Sequence, residues 1–338
     1  KKGAYAEVLQ YGAILVKICV PDKKGDLKDV VLGYDDIRGY EINGCFFGAI
    51  IGRSGNRIEN SRFFIDDKEV VLTLNGKEIV LTPNEGANNL HSGPDGFEKK
   101  LWEVKEISQE KNSVDFFRIS PDGENGFPGE FSIVVKYEFT EENELKIFYR
   151  GRSDAATVAN MTNHSYFNLS GNPSQPATDH ILYINADNYT PVDSTYMTTG
   201  EIVTVKETPM DFTTPKAVGQ DIDKFDFIQL KNGNGYDHNW VLNTQGDINQ
   251  LAAKLTSPTS GISLEVYTNE PGIQVYSGNF LDGTLSGKKG IVYNQRASVC
   301  LETQHYPDSP NKPEWPSVIL EPGQTYHSEC IFKFTVEK

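Results

Sequence analysis

Short runs of β-branched and aromatic residues, each closed by turn formers, constrain this chain more than any other feature. "SVDFFRIS" (113–120), "FSIVVKYEF" (131–139) and "LKIFYRGRS" (145–153) follow one another in this way, the spacing of antiparallel sandwiches. In "EVVLTLNGKEIVLT" (69–82) the pair Asn75-Gly76 separates two alternating runs. That is a strong hairpin signal, because both central residues of a type I′ turn need positive φ. "GISLEVYTN", "GIQVYSGNF" and "SVCLETQHY" continue the pattern towards the C-terminal end. Apolar residues never keep helical spacing for more than a turn or two. The expected fold is all-β, a large antiparallel β-sandwich, since strongly twisted open sheets rarely grow far beyond about ten strands. No repeat, low-complexity tract or charge-segregated linker divides the chain, so residues 1–338 are read as one domain.

Charge and cysteine usage narrow the partners. A formal net charge of −15 disfavours nucleic acid and anionic membrane as partners and suits a neutral small molecule. Cys19, Cys45, Cys300 and Cys330 are scattered with no CxxC pair, which indicates neither a zinc ribbon nor a disulfide scaffold. Isolated thiols point to a reducing, cytoplasmic setting. No segment has the apolar length of a membrane-spanning helix. The opening "KKGAYAEVLQ" has no signal-peptide apolar region and no starting methionine, so an export signal ahead of it stays open. The expected oligomeric state is monomer or homodimer.

Ionisable groups gather in "GRSGNRIEN" (52–60), "NNLHSG" (88–93), "NHSYFNLSG" (163–171), "GYDHNWVLN" (235–243) and "SVCLETQHY" (298–306). Period-2 alternation puts Val299, Leu301 and Thr303 on one face of the last segment and Cys300, Glu302 and Gln304 on the other. A mid-strand carboxylate beside a cysteine suggests a lined pocket. The same alternation puts His164, Tyr166 and Asn168 together, with Phe167 and Leu169 opposite. Each motif also has a structural reading. His164 could be a hydrogen-bonded core histidine, Glu302 a solvated strand residue, and Arg57 the partner of Glu59 or another surface acid. Asp237 and His238 could be turn chemistry, and His91 could merely close a loop. No HExxH, structural-zinc spacing, GxSxG elbow or glycine-rich nucleotide fingerprint occurs.

Taken in order, "GRSGNRI", "NNLHSG", "DGENGFPGE", "TNHSYFNLSG", "YTPVD", "GYDHNWVL", "GIQVYSGNFLDGT" and "CLETQHYPDSPN" resemble the aldose 1-epimerase, or galactose mutarotase, family from about residue 40 to about 330. The resemblance implies a galactose mutarotase-like supersandwich that interconverts the α and β anomers of a free aldose, galactose or glucose, by acid–base ring opening and closure. It implies Glu302 as general base and His164 as general acid, with Asn56, Arg57, His91, Tyr166, Asp237 and Gln274 at sugar-binding positions. Neither a cofactor nor a metal is implied. Phe280 is a further candidate, for packing on an apolar sugar face. A carboxylate near His164 is expected to favour its imidazolium.

Three departures from the family pattern stand out. The stretch between Arg57 and His91 is longer than usual, around Asn75-Gly76; Gly55 and Ser92 stand where the family often has alanine and glycine; and an edge strand is expected ahead of the first residue. Two other functions stay open at this point. A glycosidase would use Asp237 and Glu302 as its two carboxyl groups. A non-catalytic sugar-binding module would bind without accelerating anomer exchange.

Overall fold

The computed structural model describes residues 3–42, 44–65 and 77–337. Among these the larger sheet has nine antiparallel strands, in the order Lys216–Ala217, Ile181–Ile184, Ala253–Thr256, Ile262–Thr268, Tyr326–Val336, Glu144–Ser153, Phe131–Phe139, Ser113–Ser120 and Glu103–Ser108. Three of its members match the runs read from the sequence to within a residue. Phe131–Phe139 alternates buried and half-buried positions along its whole length, the pattern of a strand with one face on a core.

The second sheet has six strands, ordered Tyr166–Phe167, Val299–Gln304, Gly272–Tyr276, Asp237–Val241, Asn188–Thr190 and Val203–Thr204. One apolar core lies between the sheets. It takes Ile133, Val135, Ile147 and Leu264 from the larger sheet and Val275, Val299, Leu301 and Trp240 from the smaller. Phe167 meets Phe332 across the gap, ring centroids 5.1 Å apart. Ten-ångström sheet stacking with interleaved side chains is the usual sandwich solution, and the expected β-sandwich is the fold found. Helix is confined, among the described residues, to two short α segments, Ile37–Glu41 and Ile228–Gly233, and a few 3₁₀ turns.

The Asn75-Gly76 turn lies outside the described residues. Its downstream arm, Lys77–Val80, pairs antiparallel with Arg62–Ile65.

A buried arginine ties the sandwich to the loops above it. Arg53, 1% exposed, donates to the Ser120, Pro121, Pro128 and Gly129 carbonyls and to the Ser120 and Thr157 hydroxyls at 2.8–3.1 Å. This accounts for "DGENGFPGE": its turns present carbonyl oxygens to a guanidinium. Burial pulls Arg53 down to about 10, still charged at neutral pH.

Candidate active site

The outer face of the six-stranded sheet forms one wall of a cavity of about 280 Å³. Strand register alone brings four expected residues together. Gln274 lies opposite Glu302, Tyr276 opposite both Cys300 and Asp237, and Tyr166 opposite Cys300. Directly opposed residues point to the same side of a sheet, so Glu302, Gln274, Asp237 and Tyr166 all line the cavity. The alternation expected for Val299–Gln304 holds: Val299 and Leu301 enter the main core while Cys300 joins a separate cluster with Tyr166 and Tyr276. Asp237 belongs to a strand, not a turn, and its Oδ1 accepts from Gln274 Nε2 at 2.8 Å.

The facing wall is a two-stranded ribbon, Arg57–Ile58 against Asn89–Leu90, which carries Asn56, Arg57 and His91. Asn56 N–H donates to His91 Nδ1 at 3.0 Å, and His91 N–H donates to the Asn56 carbonyl at 2.9 Å. Asn56 and His91 both sit in the left-handed region, φ 55° and 52°, as do Phe46 and Tyr196 on the same cavity. Non-glycine residues held there concentrate at functional sites. Arg57 is buried and does not pair with Glu59. Its Nε and Nη2 meet Glu85 at 2.5 and 2.8 Å, and its Cζ lies 5.0 Å from the Tyr196 ring centroid.

His164 reaches the cavity by a different route. The expected single strand through 162–169 is broken at Ser165. Thr162–His164 pairs with Ala49–Ile51, whereas Tyr166–Phe167 pairs with the edge of the six-stranded sheet. The strand then ends at Phe167, which corrects the expectation for Asn168. Its amide donates to the Gln175 and Ala297 carbonyls, away from the cavity, while Phe167 and Leu169 enter the core as expected. His164 is stacked between Phe46 and Tyr166, centroids 5.8 and 5.0 Å away. Its Nε2 lies 3.6 Å from Glu302 Oε1.

Burial dominates the electrostatics. It lowers His164 to about 4, so in the free site the nearby carboxylate does not hold the imidazolium as the sequence suggested. Two aromatic faces exclude the water that would solvate the cation, and 3.6 Å is too long for a hydrogen bond that would compensate. Burial, then the charge of Asp237, pushes Glu302 well above the carboxylate range, against the pull of Arg57. Burial raises Asp237 as well. His91 is held well below the usual range by burial, His164 and Arg57. Arg57 keeps its charge: burial opposes it, but the Glu85 bond and the Asp237 and Glu85 charges outweigh that.

His91, His164 and Glu302 each place a potential ligand atom within 4.8 Å of the others. The donor set fits a metal poorly. Because Asn56 N–H occupies Nδ1 of His91, the neutral ring carries its proton on Nε2, the nitrogen a metal would need. The same proton makes His91 a hydrogen-bond donor towards a ligand.

All eight expected residues therefore share one cavity, together with Phe280 at its half-exposed rim, stacked on Tyr276. Glu85, Tyr196, Phe46 and Tyr276 were not anticipated. A signal for Tyr196 existed in "YTPVD": Asp193 Oδ1 accepts from the Thr195 and Met197 amides, forming the turn that carries it. The tail of "CLETQHYPDSPN" acts similarly. Asp308 donates its N–H to the Arg57 carbonyl and accepts from Glu59 N–H. Of the two substituted positions, Gly55 has only 3.2 Å between an added Cβ and Thr162 Cγ2, and the Ser92 hydroxyl bonds both backbone groups of Ser54.

Comparison with known proteins places this geometry. The model of the aldose 1-epimerase family matches residues 1–333. Human galactose mutarotase is 42% identical over 330 residues, covering 98% of this chain and 91% of the human protein. Escherichia coli aldose 1-epimerase is 36% identical over 337 residues, 99% and 93% of the two chains. Among solved structures, an aldose epimerase homologue from C. elegans superposes with a TM-score of 0.87 at 32% identity, covering 100% and 97%. Galactose 1-epimerase from Lactobacillus acidophilus gives 0.85 at 29%, covering 100% and 93%. The family match and these relatives define a carbohydrate isomerase. The chain belongs to the aldose 1-epimerase family, and its reaction class is the interconversion of aldose anomers.

Proposed function

We propose that this chain converts the anomers of free galactose or glucose, with Glu302 and His164 as the proton-transfer pair. The observation that carries the reading is their placement 3.6 Å apart in a buried cavity whose remaining polar groups suit hydroxyls. About 280 Å³ falls just below the ~300 Å³ at which pockets for drug-sized ligands begin, a fit for one sugar ring. Arg57, His91, Asn56 and Gln274 offer donors; Asp237 offers an acceptor.

Ring opening requires that O1–H lose its proton, the C1–O5 bond break and O5 gain a proton. Glu302 takes the first proton and imidazolium His164 supplies the second. Rotation about C1–C2 presents the other carbonyl face. Closure then returns one proton from Glu302 to O1 and one from O5 to His164. The pair thus carries a single mobile proton. Burial favours the neutral arrangement, protonated Glu302 with neutral His164, which is the arrangement beside the open aldehyde. The ionic arrangement that starts ring opening is the costlier one in a dry pocket, so both transfers relieve charge. Each well-placed transfer typically contributes about 10²- to 10⁴-fold.

The same reading takes residues 1–338 as one catalytic domain acting as a monomer or homodimer in the cytoplasm, with a sugar and no nucleic acid or membrane as its partner. Supporting it are the charge of −15, the absence of a disulfide among the described cysteines and the absence among described residues of a helix long and apolar enough to cross a membrane. The test is polarimetry on freshly dissolved α-D-galactose and α-D-glucose. Equilibration faster than the buffer blank is expected; binding without acceleration would replace the enzyme reading with that of a sugar-binding module.

A further inference from the structure

Arg57 stands between two carboxylates on different elements and pairs with only one of them. Glu85 fills the fork through Nε and Nη2, at 2.5 and 2.8 Å. Asp237 lines the same cavity and raises the Arg57 pKa through space, yet among the described residues no ion pair joins it to Arg57. A guanidinium that shares a cavity with a buried carboxylate has reason to close on it, because bidentate pairing is strong and an unpaired buried charge is costly.

The local fold explains why Glu85 wins. Glu85 N–H donates to the Asn88 carbonyl at 3.1 Å, and Asn88 N–H returns to Glu85 at 2.9 Å. The Asn84 side chain pairs with both backbone groups of Leu90, at 2.7 and 2.9 Å. This tight turn leads into Asn89–Leu90 of the ribbon and fixes the Glu85 carboxylate, itself part of the cavity lining, against Arg57. Tyr196 covers the guanidinium face. Among the described residues Nη1 of Arg57 and Oδ2 of Asp237 have no hydrogen-bond partner, whereas Oδ1 is taken by Gln274.

We propose that Glu85 is a positioning residue for the sugar: by occupying the fork of Arg57 it holds that side chain off Asp237 and keeps open a donor–acceptor slot for one hydroxyl. The proposal rests on the anomer-exchange reading and deepens it. A hydroxyl both donates and accepts, so it fits a gap with Nη1 on one side and Oδ2 on the other. A sugar with that hydroxyl deleted leaves both charged groups unpaired, the situation in which polar sites discriminate most strongly.

Besides Arg57, nine charged or titratable groups among the described residues line the cavity: Glu85 and His91 from the ribbon side, Asp237, Glu302, Tyr276 and Tyr166 from the sheet, His164 from the neighbouring short strand, Cys45 from the loop before Ala49–Ile51, and Tyr196 over the guanidinium. With Glu85 removed, the Arg57 charge acts on Asp237 and Glu302 without its counter-ion.

The experiment compares wild type, Glu85→Ala, Glu85→Asp, Asp237→Asn and the Glu85→Ala/Asp237→Asn double variant. Anomer exchange and calorimetric galactose affinity are measured together. Loss of a charge-assisted contact, ~1.5–3 kcal/mol, predicts a KM and Kd about 10- to 100-fold higher for Glu85→Ala, with kcat within about 3-fold. The acid limb of its kcat/KM profile moves to lower pH. Glu85→Asp recovers part of the affinity. In the Asp237→Asn background Glu85→Ala costs little more, because the collapse partner is gone; this non-additivity separates positioning from general damage to the fold. Wild-type KM and Kd in Glu85→Ala, or strictly additive losses in the double variant, would overturn the proposal. A wild type that binds galactose without exchanging anomers would remove the enzymatic reading alone, and the calorimetric cycle would still decide the role of Glu85. Absence of galactose binding in wild type overturns both.

Discussion

The strand Val299–Gln304 shows two kinds of burial on opposite faces. Val299 and Leu301, each 1% exposed, pack against carbon in the main core. Glu302, 2% exposed, is as thoroughly buried, but it faces His164 at 3.6 Å without a hydrogen bond and is pushed towards its neutral form. The core face gains free energy from exclusion of water. The cavity face gives some of it up, because a dry carboxyl whose proton must move destabilises the protein that holds it. The difference teaches that exposure alone does not separate structural from functional positions on this strand; what separates them is what each face meets, carbon on one side and ionisable groups around a cavity on the other.

The largest effect that would sharpen this contrast is on rate. Glu302→Gln and His164→Asn are each expected to lower kcat/KM by about 10³-fold or more, at the scale of a lost proton transfer, as read by polarimetry. The stability of Glu302→Gln should move the other way. A raised folded pKa makes the wild type lose stability as pH climbs from the unfolded carboxylate value through the folded one; glutamine has no such loss. Glu302→Gln should therefore melt above wild type at pH 7, and an equal or lower midpoint breaks the comparison.

Next comes the opposite face. Leu301→Ala is expected to cost about 2–5 kcal/mol in urea unfolding, with turnover per folded molecule within about 3-fold of wild type. A large loss of kcat at full folding would mean that the two faces are not separable.

His164 supplies a pH test of comparable size. Its folded pKa, lowered to about 4 by burial, lies below the unfolded value near 6.5. Stability is fully present above about pH 6.5 and declines as pH falls towards 4, by roughly 3 kcal/mol at 1.36 kcal/mol per unit. The His164→Asn variant should lack that slope in denaturation curves taken across the range; an unchanged slope assigns it to other groups.

The smallest effect belongs to Ser92, on the loop wall. Ser92→Gly gives up two hydrogen bonds to Ser54 but relieves a backbone at φ 71°. These terms, each about 1 kcal/mol, oppose one another. A net change within about 1 kcal/mol and kcat/KM within about 3-fold is expected; a loss above 3 kcal/mol would make the Ser54 tie a main support of the ribbon.

Much of this was legible before any coordinates. Alternation placed Glu302 and Leu301 on opposite faces because side chains in a strand must alternate. The same rule held across the change of pairing at Ser165, where His164 and Tyr166 both face the cavity, but failed at Asn168, because the strand ends at Phe167 and a local period cannot foresee where a strand stops. Glu85 was out of reach, and for Tyr196 only the turn that carries it was signalled, because their meeting with Arg57 depends on turns far apart in sequence. The lowered pKa of His164 was missed for a related reason: it follows from burial, and one of the rings that enclose it, Phe46, comes from the loop before Ala49–Ile51. Pairwise charge logic had only the carboxylate to work with.

Arg53 has a consequence for how the molecule comes apart. Four carbonyl and two hydroxyl oxygens surround its guanidinium, much as carbonyl cages replace the hydration shell of an alkali cation. This cation is tethered by its own backbone. It cannot be chelated, exchanged or diluted away, and the cage empties only when the chain around it opens. Segment 120–129 and the ribbon that begins four residues after Arg53 should therefore exchange their amide hydrogens as one unit, so that this wall of the cavity is lost together with its foundation and not before it.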